Sequence, residues 1–154
     1  MIVTLDAADR RILAELQRDA SLSTAEVAER VGLSQAPCWR RIKRLKDDGV
    51  IEAVVALAAA KPLGLGVTVY ATVTLEQHSE AATSGFERAV LAAPEVLECA
   101  AITGDRDYWM KVVVADIEDY DRFLTHRLLH LKFVRSVNSR FVLRQIKRTT
   151  ALPV

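Results

Sequence analysis

Arg40, Arg41, Lys43, Arg44 and Lys46 place five cations within the eight residues from Trp39 to Lys46, with no acid among them. Side chains of this kind at this density can neutralise phosphates and release their condensed counterions. Few other groups in the chain are spaced for chemistry. His126 and His130 stand four apart on a helical pattern, the spacing of two metal ligands, but Arg127 follows the first and no third ligand is evident. His78 stands in a loop without an evident partner. Gly64-Leu65-Gly66 is not a dinucleotide fingerprint, because a strand pattern follows it where a helix is needed. No serine or cysteine sits in a nucleophile elbow, and Cys38 falls on an apolar helix face, where a thiol is inert. The chemistry to explain is the basic cluster, and no metal or cofactor is expected.

Three short helices must position that cluster. Asp6 is a natural N-cap for the first, which sets Ile12, Leu13 and Leu16 on one face before Asp19-Ala20-Ser21 ends it. Ser23 and Glu26 form a capping box for the second, ending near Arg30, with Val27 and Ala28 facing inward. Gly32 breaks the pattern, Leu33 fills the corner, and Ser34 caps a third helix closed by Gly49. Pro37 falls in the first turn of that helix, where its missing N–H costs nothing. Helix, glycine corner and basic helix make a helix-turn-helix. Cys38, Ile42 and Leu45 share its core face. Near its start, Gln35, Ala36, Pro37, Trp39 and Arg40 are candidates for base edges or groove walls, Arg41, Lys43 and Arg44 for phosphates, and Ser34 joins them in the DNA-binding set. The bland alternative is a solvated charged face. Residues 1–60 hold nine basic and nine acidic side chains, so the positive charge is gathered on one element rather than spread over the domain.

The 154-residue chain carries 21 basic and 20 acidic residues, so its net charge of +1 gives no whole-chain sign of a polyanionic partner. With 51% hydrophobic residues it is far from a disordered composition. Cys38 and Cys99, 61 residues apart in apolar-patterned segments, read as two small buried thiols in a reducing compartment. The longest apolar run, residues 53–60, is too short to cross a bilayer, and Asp6 and Asp9 stand where a signal peptide needs positive charge. A cytoplasmic, nucleoid-associated protein without a membrane partner is expected. The fold class is α+β. Residues 1–52 form a helix-turn-helix (winged-helix-like) domain, residues 53–63 a strand and hinge, and residues 64–154 a second domain.

In the second domain, residues 67–75 alternate strictly, with Val67, Val69, Ala71, Val73 and Leu75 on one face and Thr68, Tyr70, Thr72 and Thr74 on the other. A helix over about 80–93, strands over 95–103 and 108–115, a helix opened by Asp116 and a last strand over 134–146 complete a β-α-β-β-α-β order. This is the ferredoxin-like split unit, with both helices on one face of a four-stranded sheet. Val112-Val113-Val114 and Phe141-Val142-Leu143 are apolar on both faces and need cover on both. A second copy is the economical cover, so a sheet-to-sheet homodimer is expected.

Leu33-Ser34, Cys38-Trp39-Arg40-Arg41-Ile42, Leu45 and Gly49-Val50-Ile51, together with Thr103-Gly104-Asp105-Arg106-Asp107-Tyr108 and the Thr149-Thr150-Ala151-Leu152-Pro153 tail, resemble the Lrp/AsnC (leucine-responsive, feast/famine) regulators. The resemblance covers essentially the whole chain. It implies a sequence-specific transcription regulator, not an enzyme. Such a protein binds double-stranded DNA as a homodimer, or as a tetramer or octamer of its dimers, and its second domain takes a small effector, commonly an amino acid. Carried onto this chain, the effector site would hold Thr103, Gly104, Asp105, Arg106, Asp107 and Tyr108. Arg135, Ser136 and Ser139 would complete it from a neighbouring subunit. Backbone N–H groups at a glycine turn can take a carboxylate and a nearby aspartate an ammonium; the alternative is a tight hairpin turn that happens to use Gly and Asp. The chain departs from many relatives in reading Leu131-Lys132-Phe133 before the final strand, where they carry Leu-Pro-Gly. Two other functions fit the same residues: an architectural DNA-compacting protein without effector response, and a small enzyme on the ferredoxin-like fold.

Overall fold

The computed structural model describes residues 3–154. The chain forms two compact units, one of residues up to Leu57 with Lys147–Val154, the other Ala58–Ile146.

The first unit holds α1 (Ala7–Arg18), α2 (Thr24–Val31) and α3 (Gln35–Asp47). Asp6 and Asp9 close a capping box on α1, and Ser23 and Glu26 close another on α2. Gly32 ends α2 at φ 71°, a left-handed conformation that costs glycine little, and so sets the corner into α3. Ser34 occupies the N-cap position of α3, but its hydroxyl makes no cap hydrogen bond. Ile12, Val27, Cys38 and Leu45 are fully buried between the three helices. Burying a large aliphatic side chain in this way stabilises by roughly 1.5–3 kcal/mol. The tail returns to this unit: the Leu152 N–H donates to Gln17 Oε1 at 2.7 Å, and Gln17 Nε2 donates to the Leu152 carbonyl at 3.1 Å. The expected second domain over 64–154 therefore gives up its last eight residues, Lys147–Val154, to the first unit. The strand expected past Gly49 does not form. Val50 and Ile51 pack on the helical core, but Val54, Val55 and Leu57 are exposed. Their β-branched preference needs a pairing edge, and the described residues offer them none.

The second unit runs β1 (Val67–Leu75), α4 (Glu80–Leu91), β2 (Val96–Ala101), β3 (Tyr108–Val114), α5 (Ile117–Phe123) and β4 (Val134–Phe141). The sheet order is β2-β3-β1-β4, antiparallel throughout, which is the ferredoxin-like arrangement. Val69, Ala71 and Val73 of β1 pack with Met110 and Val112 of β3 under Phe86 of α4 and Tyr120, Phe123 and Leu128 of the second helical stretch. The opposite face shows Thr68, Tyr70, Thr72 and Thr74 with Trp109, Lys111 and Val113, and the Tyr70 and Trp109 rings stack at 5.5 Å.

Three expectations are corrected in this unit. The last strand stops at Phe141 rather than at 146: Phe141 pairs with Val69, the Val142 N–H still donates to the Thr68 carbonyl at 2.9 Å, and β1 begins only one residue further on at Val67, which leaves 144–146 no strand to pair with; Leu143 is 99% exposed. The helix opened by Asp116 loses α geometry after Phe123 and continues as a π-helix over Leu124–Leu129, so His126 and His130 no longer stand one α-turn apart. Cys99, expected buried, is exposed because β2 is an edge strand; Cys38 is buried as expected.

Candidate functional site

The exposed face of α3 carries Gln35, Ala36, Trp39, Arg40, Lys43 and Arg44, with Trp39 55% exposed beside the charged run. Trp39 lies off the apolar stripe because Cys38, Ile42 and Leu45 already fill the side facing α1 and α2. Pro37, Arg40, Arg41 and Arg44 line one concavity of about 320 Å³. Three guanidinium-bearing side chains around a hollow suit a tetrahedral oxyanion, since each offers a planar fork of donors.

Two of the three are also tied down. Asp9 of α1 is 1% exposed and accepts from Arg41 Nη1 at 2.8 Å and from Arg44 Nη2 at 2.5 Å. Arg41 Nη1 reaches Asp6 as well, at 2.7 Å. Asp9 further accepts the Asp6 N–H at 3.1 Å, and its own N–H donates to Asp6 at 2.8 Å. The Asp9 N–H, and then Arg41, hold the Asp6 carboxyl down to about 2, well below its ordinary range. Lys43 pairs with Asp47 at 2.6 Å one turn along α3. Arg41 and Arg44, read from sequence as phosphate contacts, thus also fasten α3 to the start of α1. The residues that reasoning from sequence missed are Asp6, read there as a helix cap, and Asp9, read there only, with Asp6, as acid standing where a signal peptide needs positive charge. Charges 32 and 35 residues apart give no local sign of pairing.

The turn between β2 and β3 is the second cluster. Gly104 sits at φ 116°, which only glycine adopts without strain, and Thr103, Gly104 and Asp105 are exposed at the tip. Asp107 is not free. Its Oδ2 accepts the Leu75 N–H at 2.7 Å and its Oδ1 stands 2.7 Å from His78 Nε2. The Leu75 amide first, then His78, lower its pKa. His78, read from sequence as unpartnered, is thereby corrected: it sits at this turn. Arg106 Nη1 donates to Thr74 Oγ1 at 3.4 Å and its Nε lies 3.3 Å from Asp105. Ser136 pairs across from Thr74, and Arg135 occupies the irregularity where the β1–β4 register shifts, at the same end of the sheet.

Tyr108 and Ser139 point elsewhere. Tyr108 is buried against Phe86 with its hydroxyl donating to Glu87 at 3.0 Å, and burial, then Glu87, push its pKa up to about 12. Ser139 Oγ lies 2.5 Å from the Tyr120 hydroxyl on the helix-covered face. The turn therefore brings Thr103, Gly104, Asp105, Arg106 and Asp107 together with Thr74 and His78, while Arg135 and Ser136 share only that end of the sheet, on the far side of β1.

Comparison with known proteins places both units. The family model for the Lrp/AsnC ligand binding domain matches residues 68–152, and that for a winged helix-turn-helix DNA-binding domain matches residues 5–52. The DNA-binding transcriptional activator DecR of Escherichia coli (strain K12) is 41% identical over 150 residues, covering 97% of this chain and 99% of the relative. A crystal structure of a Neisseria meningitidis transcriptional regulator in complex with L-methionine superposes with a TM-score of 0.94 at 37% identity, covering 97% of each chain. An AsnC family transcriptional regulator from Agrobacterium tumefaciens gives 0.92 at 42% identity, again covering 97% of each chain.

Proposed function

The chain belongs to the Lrp/AsnC family of transcriptional regulators, and on that premise we propose that it reads a DNA operator with α3 and answers to an amino acid held at the β2–β3 turn. The observation that carries this reading is the Pro37-Arg40-Arg41-Arg44 hollow on the exposed side of α3. There a backbone phosphate meets three cations, while Gln35, Ala36 and Trp39 at the helix start face the base edges. Arg40, expected from sequence at a base edge or groove wall, lines the same hollow, forms no ion pair among the described residues and is free to meet phosphate; Arg41 and Arg44 serve phosphate and Asp9 together.

At the turn, Arg106 takes the effector's carboxylate and Asp105 its ammonium, while Asp107 holds the turn in place through Leu75 and His78. The methionine complex of the Neisseria relative and the ligand-binding description of the matched domain support an amino acid as that effector. Two copies join through the sheet face that carries Tyr70 and Trp109, and the site is completed at a junction between subunits. The protein performs regulation rather than catalysis, in the cytoplasm; no helix of the described residues is long and apolar enough to cross a membrane.

The test is fluorescence anisotropy on a DNA site selected from random sequence, with and without each of the twenty amino acids. Specific sites bind about 10³-fold or more tighter than unrelated DNA. Equal affinity for selected and unrelated DNA would favour an architectural protein. Arg106→Ala removes the amino-acid response and leaves DNA affinity in its absence unchanged.

A further inference from the structure

At the far end of the β2–β3 hairpin from its turn, a cleft of about 370 Å³ opens between the start of β2, the end of β3 and α5 with its π-helical continuation. Val113 and Phe123 form part of its apolar wall, and Glu95, Asp119, Arg122, His126 and Arg127 supply its charged and polar groups. Glu95 Oε2 is buried, and no protein group among the described residues donates a hydrogen bond to it. A carboxylate oxygen enclosed without a protein donor has lost hydrogen bonds that water would give it. Its donor must come from outside the protein, from a water or a bound molecule.

The remaining charges say what that donor belongs to. Asp119 and Arg122 pair with each other one turn apart on α5, so they cancel. What is left is the carboxylate of Glu95 inside and, at the rim, the exposed Arg127 beside His126, neither of which forms an ion pair among the described residues. Both rim residues stand on the π-helical turn, a rare geometry that recurs at functional sites. A half-buried carboxylate with one enclosed oxygen, an apolar wall and an outer cation complement a small molecule with a primary ammonium at one end and a carboxylate at the other.

We propose that this cleft is a second small-molecule site in each subunit, distinct from the β2–β3 turn, which takes an amino-acid-like zwitterion with its ammonium on Glu95 and its carboxylate on Arg127. The volume admits one such molecule and the apolar wall takes an aliphatic side chain. The turn residues Gly104, Asp105 and Arg106 contribute nothing to it, so the two sites fail independently.

Isothermal titration calorimetry on the full chain, with each of the twenty L-amino acids as the probe, tests the proposal in the parent, Glu95→Gln, Arg127→Ala and Arg106→Ala. Loss of the charge-assisted contact in Glu95→Gln should weaken one class of sites by about tenfold or more. Arg127→Ala, an exposed position that leaves the fold alone, should weaken the same class. Arg106→Ala should leave it intact. Isotherms of Glu95→Gln and Arg127→Ala that coincide with the parent's for every amino acid overturn the site, whatever Arg106→Ala shows; so does a parent that binds none of them. Loss confined to Arg106→Ala leaves the turn as the only site and the cleft as a water-filled gap.

Discussion

Asp9 decides how the basic helix is read at the scale of single residues. It is buried, both of its oxygens are engaged by arginines of α3, and those arginines also line the hollow offered to phosphate. Arg41→Ala therefore does two things. It leaves a buried carboxylate one donor short, which costs about 1–3 kcal/mol of stability, and it removes a cation from the DNA face. Arg40→Ala does only the second. The expected result is a change of about one unit in the log–log salt slope of DNA binding for Arg40→Ala, with an unfolding midpoint like the parent's. Arg41→Ala should change both; an unchanged slope in Arg40→Ala would mean that this side chain does not meet phosphate. Asp6 adds a pH dependence. Its folded pKa, about 2, lies below the ordinary value of 3.8, so its contribution is complete above that value and disappears as pH falls toward about 2. Urea midpoints of the parent and Asp6→Asn should differ at pH 6 and converge toward pH 2. A constant gap would place the effect outside Asp6 ionisation.

Among the elements, those whose signals are local were legible in the sequence. The Ser23–Glu26 box, the Gly32 corner and the β1 alternation each occupy a few consecutive residues and are reproduced in the fold. What escaped depends on distant partners. Residues 54–57 have strand chemistry but no edge to join, the 144–146 stretch outlasts β1, and the tail is tied by Gln17, 135 residues away. The candidate site divides the same way. The turn and the basic run are contiguous in sequence, whereas the His78–Asp107 latch, the Asp9 clasp and the turn of Ser139 beneath the helices toward Tyr120 are tertiary. The departure at Leu131-Lys132-Phe133 also gains a physical account. A Cβ built on Gly85 of α4 would lie 2.8 Å from Phe133 Cζ, so α4 receives the ring on a glycine. Gly85→Ala sets an overpacking cost of about 1–3 kcal/mol against a helix-propensity gain of about 1 kcal/mol, and should destabilise on balance. In a Phe133→Leu background the same change should cost less, because the ring atoms it strikes are gone. Additive unfolding free energies in that double-mutant cycle would show that the contact is not the cause.

On the scale of the whole molecule, the fold leaves apolar surface that a single chain does not cover. Tyr70 and Trp109 stack on the outer sheet face, only half-buried, and in each unit further aliphatic side chains stand in solvent, Val54, Val55 and Leu57 in one, Leu143 and Ile146 in the other. Trp109→Glu sets a charge in the middle of the proposed dimer face. Light scattering should show its mass falling from a multiple of 17.1 kDa toward one chain, with the helix-turn-helix unit still folded. In the proposed assembly, effector and operator communicate through the subunit junction, where a ligand would change how two recognition helices are spaced on the duplex. The coupling must then be mutual. If an amino acid changes operator affinity by some factor, about 5–150-fold for a coupling of ordinary size, saturating operator must change amino-acid affinity by the same factor. Measured on a fixed assembly by anisotropy in one direction and calorimetry in the other, the two factors should agree. Agreement in the parent that collapses to unity in both directions in Trp109→Glu locates the coupling in the sheet-to-sheet contact. Coupling that survives in a monomeric Trp109→Glu places it within one chain, and the junction model of regulation fails.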